Sequence, residues 1–345
     1  MNADYDGRQY VGMDLHRRRS VLVRMTETGE VLESVRILND RDRLAAVMTN
    51  AGTDPEVVLE ATYGWYWAAD TLAGLGAQVH LAHPLGVKGF AYRRVKNDFV
   101  DARDLADLLR MGRLPEAWIA PPATRELREL VRHRAKLVHM CTSLRCQVHA
   151  VLAGEGIQVP VSDLFGPTGV KLLDALSLPA ACQHRVASLR RLIEVFETEI
   201  DAAAKITRTR LHADPGYAAV QTIPGVGPIL GAVFVAEIGD VTRFPGPGQL
   251  ASWAGLTPKH HESDRTVRRG RITKQGNHLV RWAAVEAVQR LPGTTLIGAY
   301  RDRVAAKRGS GIGKVAAARE LTGLVYYALR DHHVRRLNQP QPAAA

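Results

Sequence analysis

Lys96-Asn97-Asp98-Phe99-Val100-Asp101-Ala102-Arg103-Asp104-Leu105-Ala106-Asp107-Leu108-Leu109 reads as the opening turns of a helix. Leu105, Leu108 and Leu109 mark one apolar face at helical spacing. Asp98, Asp101 and Asp104 recur every three residues and so lie along one drifting stripe. Like charges in a row repel, and either cations or a divalent metal must compensate them. Carboxylates are preferred ligands of Mg²⁺. The plainer alternative is a solvated helix start, since acids are favourable near a helix N-terminus.

Two acids upstream weigh against the plainer alternative. Tyr10-Val11-Gly12-Met13-Asp14-Leu15 is a short apolar run carrying one acid, followed by Ser20-Val21-Leu22-Val23-Arg24-Met25 and, after a Thr28-Gly29-Glu30 turn, by Val31-Leu32-Glu33-Ser34-Val35. This pattern predicts a three-stranded antiparallel meander. A helix over 40–49, a buried strand Glu56-Val57-Val58-Leu59-Glu60-Ala61, a helix over 65–74 and a strand Gln78-Val79-His80-Leu81-Ala82 follow. Three antiparallel strands and then alternating helix and strand is the order of an RNase H-like α/β domain. In a sheet of that order the first and fourth strands are neighbours, which sets Asp14 beside Glu60. The helix from 98 then brings Asp98 and Asp101 over the same strands. An acid in a central strand is costly to bury unless it is paired or bound to metal. Four converging carboxylates meet the requirement for two Mg²⁺ ions about 4 Å apart, the arrangement used in phosphoryl transfer. Taken singly, Asp14 can cap a turn and Glu60 can pair with an arginine. Sugar kinases and actin-like ATPases also begin with an Asp-bearing strand, but they need a glycine-rich phosphate loop after it. Here Leu15-His16-Arg17-Arg18-Arg19 follows, without glycine.

The chain has 345 residues, 46% hydrophobic and 6% aromatic, which predicts two or three globular domains. No run approaches the ~18 apolar residues that span a bilayer, and the polar start Met1-Asn2-Ala3-Asp4 has no signal-peptide core. A cytoplasmic protein without a membrane partner is the expectation. Cys141, Cys146 and Cys182 form neither a CxxC pair nor an even disulfide set. The net charge is +11, and between Lys259 and Arg281 seven Lys or Arg face two acids. Clustered cations of this density suggest phosphate contacts.

Pro121-Pro122 closes the first domain, 1–118. Residues 119–216 carry two long amphipathic helices, over about 124–152 and 183–210, which predict an antiparallel hairpin or coiled-coil arm serving as spacer or dimerisation element. The third domain, 217–330, opens on Thr222-Ile223-Pro224-Gly225-Val226-Gly227-Pro228, which resembles a helix-hairpin-helix turn. Gly225 and Gly227 would let backbone amides approach a phosphate; a tight structural turn is the alternative. A cation-loaded loop follows, 255–278, with Arg265, Arg268, Arg269, Arg271 and Lys274 around Ser263. A serine is a poor nucleophile unless a base or strong electrostatics activates it, and cations stabilise charge on a phosphate under attack. Ser263 is thus either a nucleophile or an ordinary loop serine. The remainder to about 330 reads as helical, and 331–345 as a disordered tail.

Val-Gly-Met-Asp14, Val-Leu-Glu60-Ala-Thr-Tyr-Gly, Lys-Asn-Asp98-Phe-Val-Asp101-Ala, Ile-Pro-Gly-Val-Gly, Gly-Leu-Thr-Pro and Gly-Arg-Ile-Thr-Lys-Gln-Gly-Asn, in this order along nearly the whole chain, resemble the IS110 family of insertion-sequence transposases, which includes the Piv-type invertases. The resemblance implies a RuvC-like N-terminal domain with a DEDD acid set, a coiled-coil insertion and a mainly helical C-terminal domain carrying a serine nucleophile. By residue, Asp14, Glu60, Asp98 and Asp101 match the Mg²⁺-holding acids, and Ser263 the serine that links to a DNA phosphate; Asp104, a turn beyond Asp101, is an alternative to Asp98. It also implies DNA element ends and target as partners, a structured guide RNA, and a homodimer or homotetramer in which the two catalytic domains come from different subunits. The chain departs from the family pattern at Asn97, where Thr or Ser is usual, and at Asp264-Arg265, where glycine often follows the serine. Two other readings share these residues: a junction-type nuclease that uses the acids and a water, and a non-catalytic nucleic-acid-binding protein.

Overall fold

The computed structural model describes residues 5–90, 97–263 and 266–334, apart from the side chains of His261 and of 266–269. Lys96 and Arg265 lie outside the described residues. The chain folds as two units, Met1–Ile119 and Ala120–Ala345.

In the first unit the apolar runs become strands β1 (Tyr10–Leu15), β2 (Arg19–Met25) and β3 (Val31–Leu38), followed by helix α1 (Arg41–Met48), β4 (Glu56–Glu60), α2 (Tyr66–Gly74), β5 (Gln78–Ala82), the single turn α3 (Pro84–Val87), α4 (Asp98–Arg110) and the short β6 (Glu116–Ala117). They form one sheet of order β3-β2-β1-β4-β5-β6. β1 and β2 pair antiparallel, and β1 runs parallel to β4 with Met13 opposite Leu59. Strand alternation then sorts the side chains. Val11, Met13, Val57 and Leu59 share a core with Leu44 of α1 and Leu72 of α2. The opposite face is covered by α4, where Val58 and Ala82 meet Leu105 and Leu109, and Val21 and Val23 meet Ala102. Gly12 is what allows α4 to lie so close, since a Cβ at that position would stand 1.8 Å from the Ala102 carbonyl oxygen. By the same alternation Asp14 and Glu60 belong to the α4 face, at the C-terminal ends of adjacent parallel strands.

The second unit begins with the long helix α5 (Pro122–Gly154), the short α6 (Pro167–Ala175) and the long helix α7 (Ala180–Leu211). Ion pairs Glu126–Arg210 and Arg145–Glu197 mark α5 and α7 as antiparallel. Val148, Val151 and Leu152 pack with Val186, Leu189 and Ile193, and Leu164 and Leu173 close that end. Next come α8 (Pro215–Val220), α9 (Pro228–Ile238), α10 (Pro247–Trp253), strands β7 (Pro258–Ser263) and β8 (Thr266–Ile272), and helices α11 (His278–Gln289), α12 (Leu296–Arg308) and α13 (Ser310–Asp331). One core joins these helices to the base of the long pair, through Leu127, Val131 and Leu211. The architecture is therefore mixed α/β, with an N-terminal sheet and a mostly helical remainder.

Two expectations change. The stretch read as a loop over 255–278 is, from Pro258 through Ile272, an antiparallel hairpin in which Ser263 pairs with Thr266. Interleaved Thr266, Val267 and Ile272 supply the β preference, which the density of charge hid. The ordered chain also runs past 331, with Val334 buried against the core, and 335–345 lie outside the described residues. Among the described residues no helix is long and apolar enough to cross a membrane.

Candidate active site

Asp14 is the penultimate residue of β1 and is buried. Leu15 turns to the opposite face, so His16 returns to the side of Asp14. α4 starts over this strand end, capped by Asn97, whose side chain accepts from the Phe99 amide at 3.0 Å. The amide does the same work with Asn as with the hydroxyl residues usual in the family pattern. This start sets Asp98 above the sheet. His16 Nε2 lies 3.1 Å from Asp14 Oδ2 and 3.3 Å from Asp98 Oδ1, and Arg36 Nη2 lies 3.5 Å from Asp98 Oδ2. Arg36 also sits over the Phe99 ring at 5.2 Å. An imidazole thus lies between the two acids, and a guanidinium pairs with the second.

The ligand atoms of Asp14, His16 and Asp98 lie within 4.8 Å of one another, the one such cluster among the described residues. Ligands around one Mg²⁺, each about 2.1 Å from it, stand roughly 3–4 Å apart. A small contraction of the cluster therefore suits one divalent ion. Two carboxylates are the oxygen donors that Mg²⁺ or Mn²⁺ prefers, and the imidazole admits borderline metals as well. Glu60 and Asp101 are not in the cluster: Glu60 ends β4 on the adjacent strand, and Asp101 is one turn along α4, both half-buried. Asp104 stands further along and meets Arg103 at 3.8 Å, so Asp98 and not Asp104 occupies the cluster position.

Ser263 is the last residue of β7 and is exposed. Among the described residues no base hydrogen-bonds it. The backbones of Arg268 and Arg269 lie in β8, opposite His261 and His260, while Arg271 and Lys274 are exposed at the hairpin base. Gly225 has a positive φ of 86° and faces the Ala287 carbonyl, which a Cβ would approach to 2.1 Å. Turn geometry and packing on α11 therefore explain this glycine. Gly227, the N-cap of α9, has open space on its Cβ side.

A transposase family model matches residues 11–156, and a second, described as the transposase IS116/IS110/IS902 family, matches 217–292. The chain belongs to the IS110 family of insertion-sequence transposases. Three relatives share 25–29% identity with it. The uncharacterized protein of insertion element IS116 from Streptomyces clavuligerus is 26% identical, with 97% of each chain covered. The putative transposase y4qE of Sinorhizobium fredii is 29% identical over 82% of this chain and 72% of its own, and the transposase for insertion sequence element IS1111A of Coxiella burnetii is 25% identical over 81% and 77%. The first matched segment of this IS110-family transposase contains Asp14, Glu60, Asp98 and Asp101, and the second contains Ser263. A transposase acts on DNA by cutting and rejoining it.

The transposase also holds a buried polar network that sequence reading missed. Glu237 of α9 is 1% exposed and accepts from Arg132 Nε and Nη2 at 2.7 and 2.8 Å and from Asn277 Nδ2 at 2.6 Å. Arg128 donates to the carbonyls of Ala236 and Glu237. Asn277 in turn caps α11 by accepting from the Val280 amide. Gly276, with a φ of 115°, has no room for a Cβ, which would stand 2.0 Å from the Trp253 carbonyl oxygen. The Gly-Asn motif thus ties the end of the hairpin segment to α9, α10 and α5. Burial alone would raise the Glu237 pKa, but the hydrogen bonds and charge of Arg132, with Asn277 and Arg128, hold it below the ordinary carboxylate range. Glu237→Gln is expected to cost about 2–3 kcal/mol at pH 7. Because the folded pKa is the lower one, wild type keeps this stability above the unfolded value of about 4.3 and loses it as pH falls through the folded value. Thermal melts at pH 7 and in acid should show a wide gap that narrows. A gap equal at both pH values would mean that shape, and not charge, carries the effect.

Proposed function

We propose that this transposase excises and inserts its element by a metal-dependent phosphoryl transfer in which Ser263 becomes joined to DNA. The observation that carries the reading is the Asp14–His16–Asp98 cluster, seated where β1 ends beneath the start of α4. In this reading the first unit is a RuvC-like domain. Asp14 and Asp98 hold the divalent ion, Mg²⁺, with Glu60 and Asp101 completing the set from adjacent positions. When bound, the ion supplies electrostatic stabilisation to the phosphate under attack and to the leaving oxygen. His16, between the two acids, and Arg36, beside Asp98, orient them.

Ser263 Oγ attacks phosphorus as its proton leaves to solvent. An Oγ–P bond forms, one P–O ester bond breaks, and the released strand oxygen takes a proton. Return attack by a strand hydroxyl rejoins DNA and frees the serine, with no net hydrolysis. Arg265, Arg268, Arg269, Arg271 and Lys274 hold phosphates near the serine, and the amides around Gly225 and Gly227 add a backbone contact. The α5–α7 pair acts as a coiled-coil arm between copies in a dimer or tetramer; exposed Leu192, Val195 and Ile206 on α7 support this role. A structured RNA guides the choice of ends and target, as the resemblance implies.

A second reading has one observation in its favour. Since no described base touches Ser263, the acids could activate water instead, making the protein a hydrolytic junction nuclease.

The test of the proposal is strand cleavage of labelled DNA carrying an element end, by the full chain with its co-purified RNA. Cleavage is expected with Mg²⁺, to stop with EDTA and to return when Mg²⁺ is restored. Equal cleavage in EDTA would remove the acid cluster from the chemistry.

A further inference from the structure

In the second unit, the hairpin base and helices α12 and α13 enclose a groove of about 1130 Å³. That exceeds the roughly 300–1,000 Å³ of a small-molecule pocket. Its wall carries Arg271, Lys274, Arg303, Lys307, Arg308 and Arg319, against the single acid Glu320. Among the described residues none of these six cations is held in an ion pair. Arg303, Lys307 and Arg308 recur on one side of α12, and Arg319 faces them from α13. Between the cations the lining is apolar. Ile312 is 52% exposed there, beside Val315 and Tyr300, and the Arg303 guanidinium lies over the Tyr300 ring at 5.3 Å.

We propose that this groove binds an unpaired stretch of nucleic acid, its phosphates on the cationic wall and its bases on the Tyr300–Ile312 floor. The inference rests on reading the chain as a nucleic-acid enzyme. Two features select a single strand. Cations alone would serve a duplex, whose bases are stacked inward and leave an exposed apolar floor uncovered. Unpaired bases stack on aromatic and apolar surface without sequence preference, while a basic wall tracks the backbone. Arg271 and Lys274 also join the groove to the hairpin that bears Ser263, so a strand held here continues toward the serine's own hairpin.

The probe is fluorescent dT20, compared with a duplex of the same length, titrated with the full chain at several salt concentrations. Arg303→Gln/Lys307→Gln is expected to weaken dT20 binding about tenfold and to flatten the salt dependence by about 1.4 in log–log slope, two phosphate contacts at about 0.7 each. Tyr300→Leu is expected to weaken dT20 about fivefold or more while changing duplex binding less than about twofold. Circular dichroism melts check that both variants fold, and Ile312→Ser provides a second floor variant. Unchanged dT20 affinity and slope in the double variant would overturn the groove. Equal losses for dT20 and duplex in Tyr300→Leu would overturn the single-strand assignment. Element-end cleavage is scored in parallel. Groove variants that lose dT20 while wild type never cuts would keep the groove and sink the transposition mechanism. Metal-dependent cutting with dT20 binding unaffected by the variants would sink the groove alone.

Discussion

Asp14→Asn is expected to lower Mg²⁺-dependent strand cleavage by about a thousandfold or more, with DNA affinity changed little. The substitution keeps shape and removes one charge at the centre of the cluster. Asp14 is buried, its Oδ2 lies 3.1 Å from His16, and its ligand atom is within 4.8 Å of that of Asp98. An amide offers one neutral oxygen where a carboxylate offers an anion, so the ion would be held weakly and misplaced. A bound divalent ion is worth several kcal/mol of transition-state stabilisation, and each 1.36 kcal/mol is tenfold in rate. Single-turnover cleavage under saturating protein measures the effect without interference from binding. A loss below about tenfold would show that the cluster is a structural ion pair and that the chemistry lies elsewhere.

Ser263→Ala is expected to remove every trace of protein covalently joined to DNA and, with it, strand exchange. The residue is exposed at the end of β7, so the alanine variant loses no packing and should melt with wild type. Its effect on cleavage separates the two chemistries. In serine transfer the first bond cannot break without Oγ, and cleavage falls with adduct. In hydrolysis by the acids, cleavage survives while no adduct forms in either protein. Ser263→Cys offers a thiolate in the same place, and a small residual adduct from it would strengthen the assignment.

Much of this was legible in the residues. The apolar runs of β1, β2, β4 and β5 are short and set between polar or turn residues, so their limits are visible. The spacing of Asp98, Asp101 and the leucines after them fixes the face that α4 buries. What hid was set by contacts across long stretches of chain. His16 stands in Leu15-His16-Arg17-Arg18-Arg19, where it looks like one more basic loop residue. The one available signal was its position two residues after Asp14, which returns it to the same side of an extended chain. Glu237 is a lone acid in an apolar helix, and its partner Arg132 is 105 positions away, so no local pattern announces the pair. The hairpin around Ser263 was masked by its charge: five Lys or Arg within 258–272 outweighed Val267 and Ile272 as a signal. The groove needs α12 and α13 folded back on each other beside that hairpin, and period alone reports only that each is a helix.

The most direct test of the central claim is to trap the reaction on element-end DNA with Mg²⁺, digest the denatured product with protease and nuclease, and locate the nucleotide-bearing residue by mass spectrometry. The account predicts a nucleotide on the peptide containing Ser263, absent from Asp14→Asn and from reactions in EDTA. DNA cut to completion with no modified peptide, or a nucleotide carried by another residue, would contradict it.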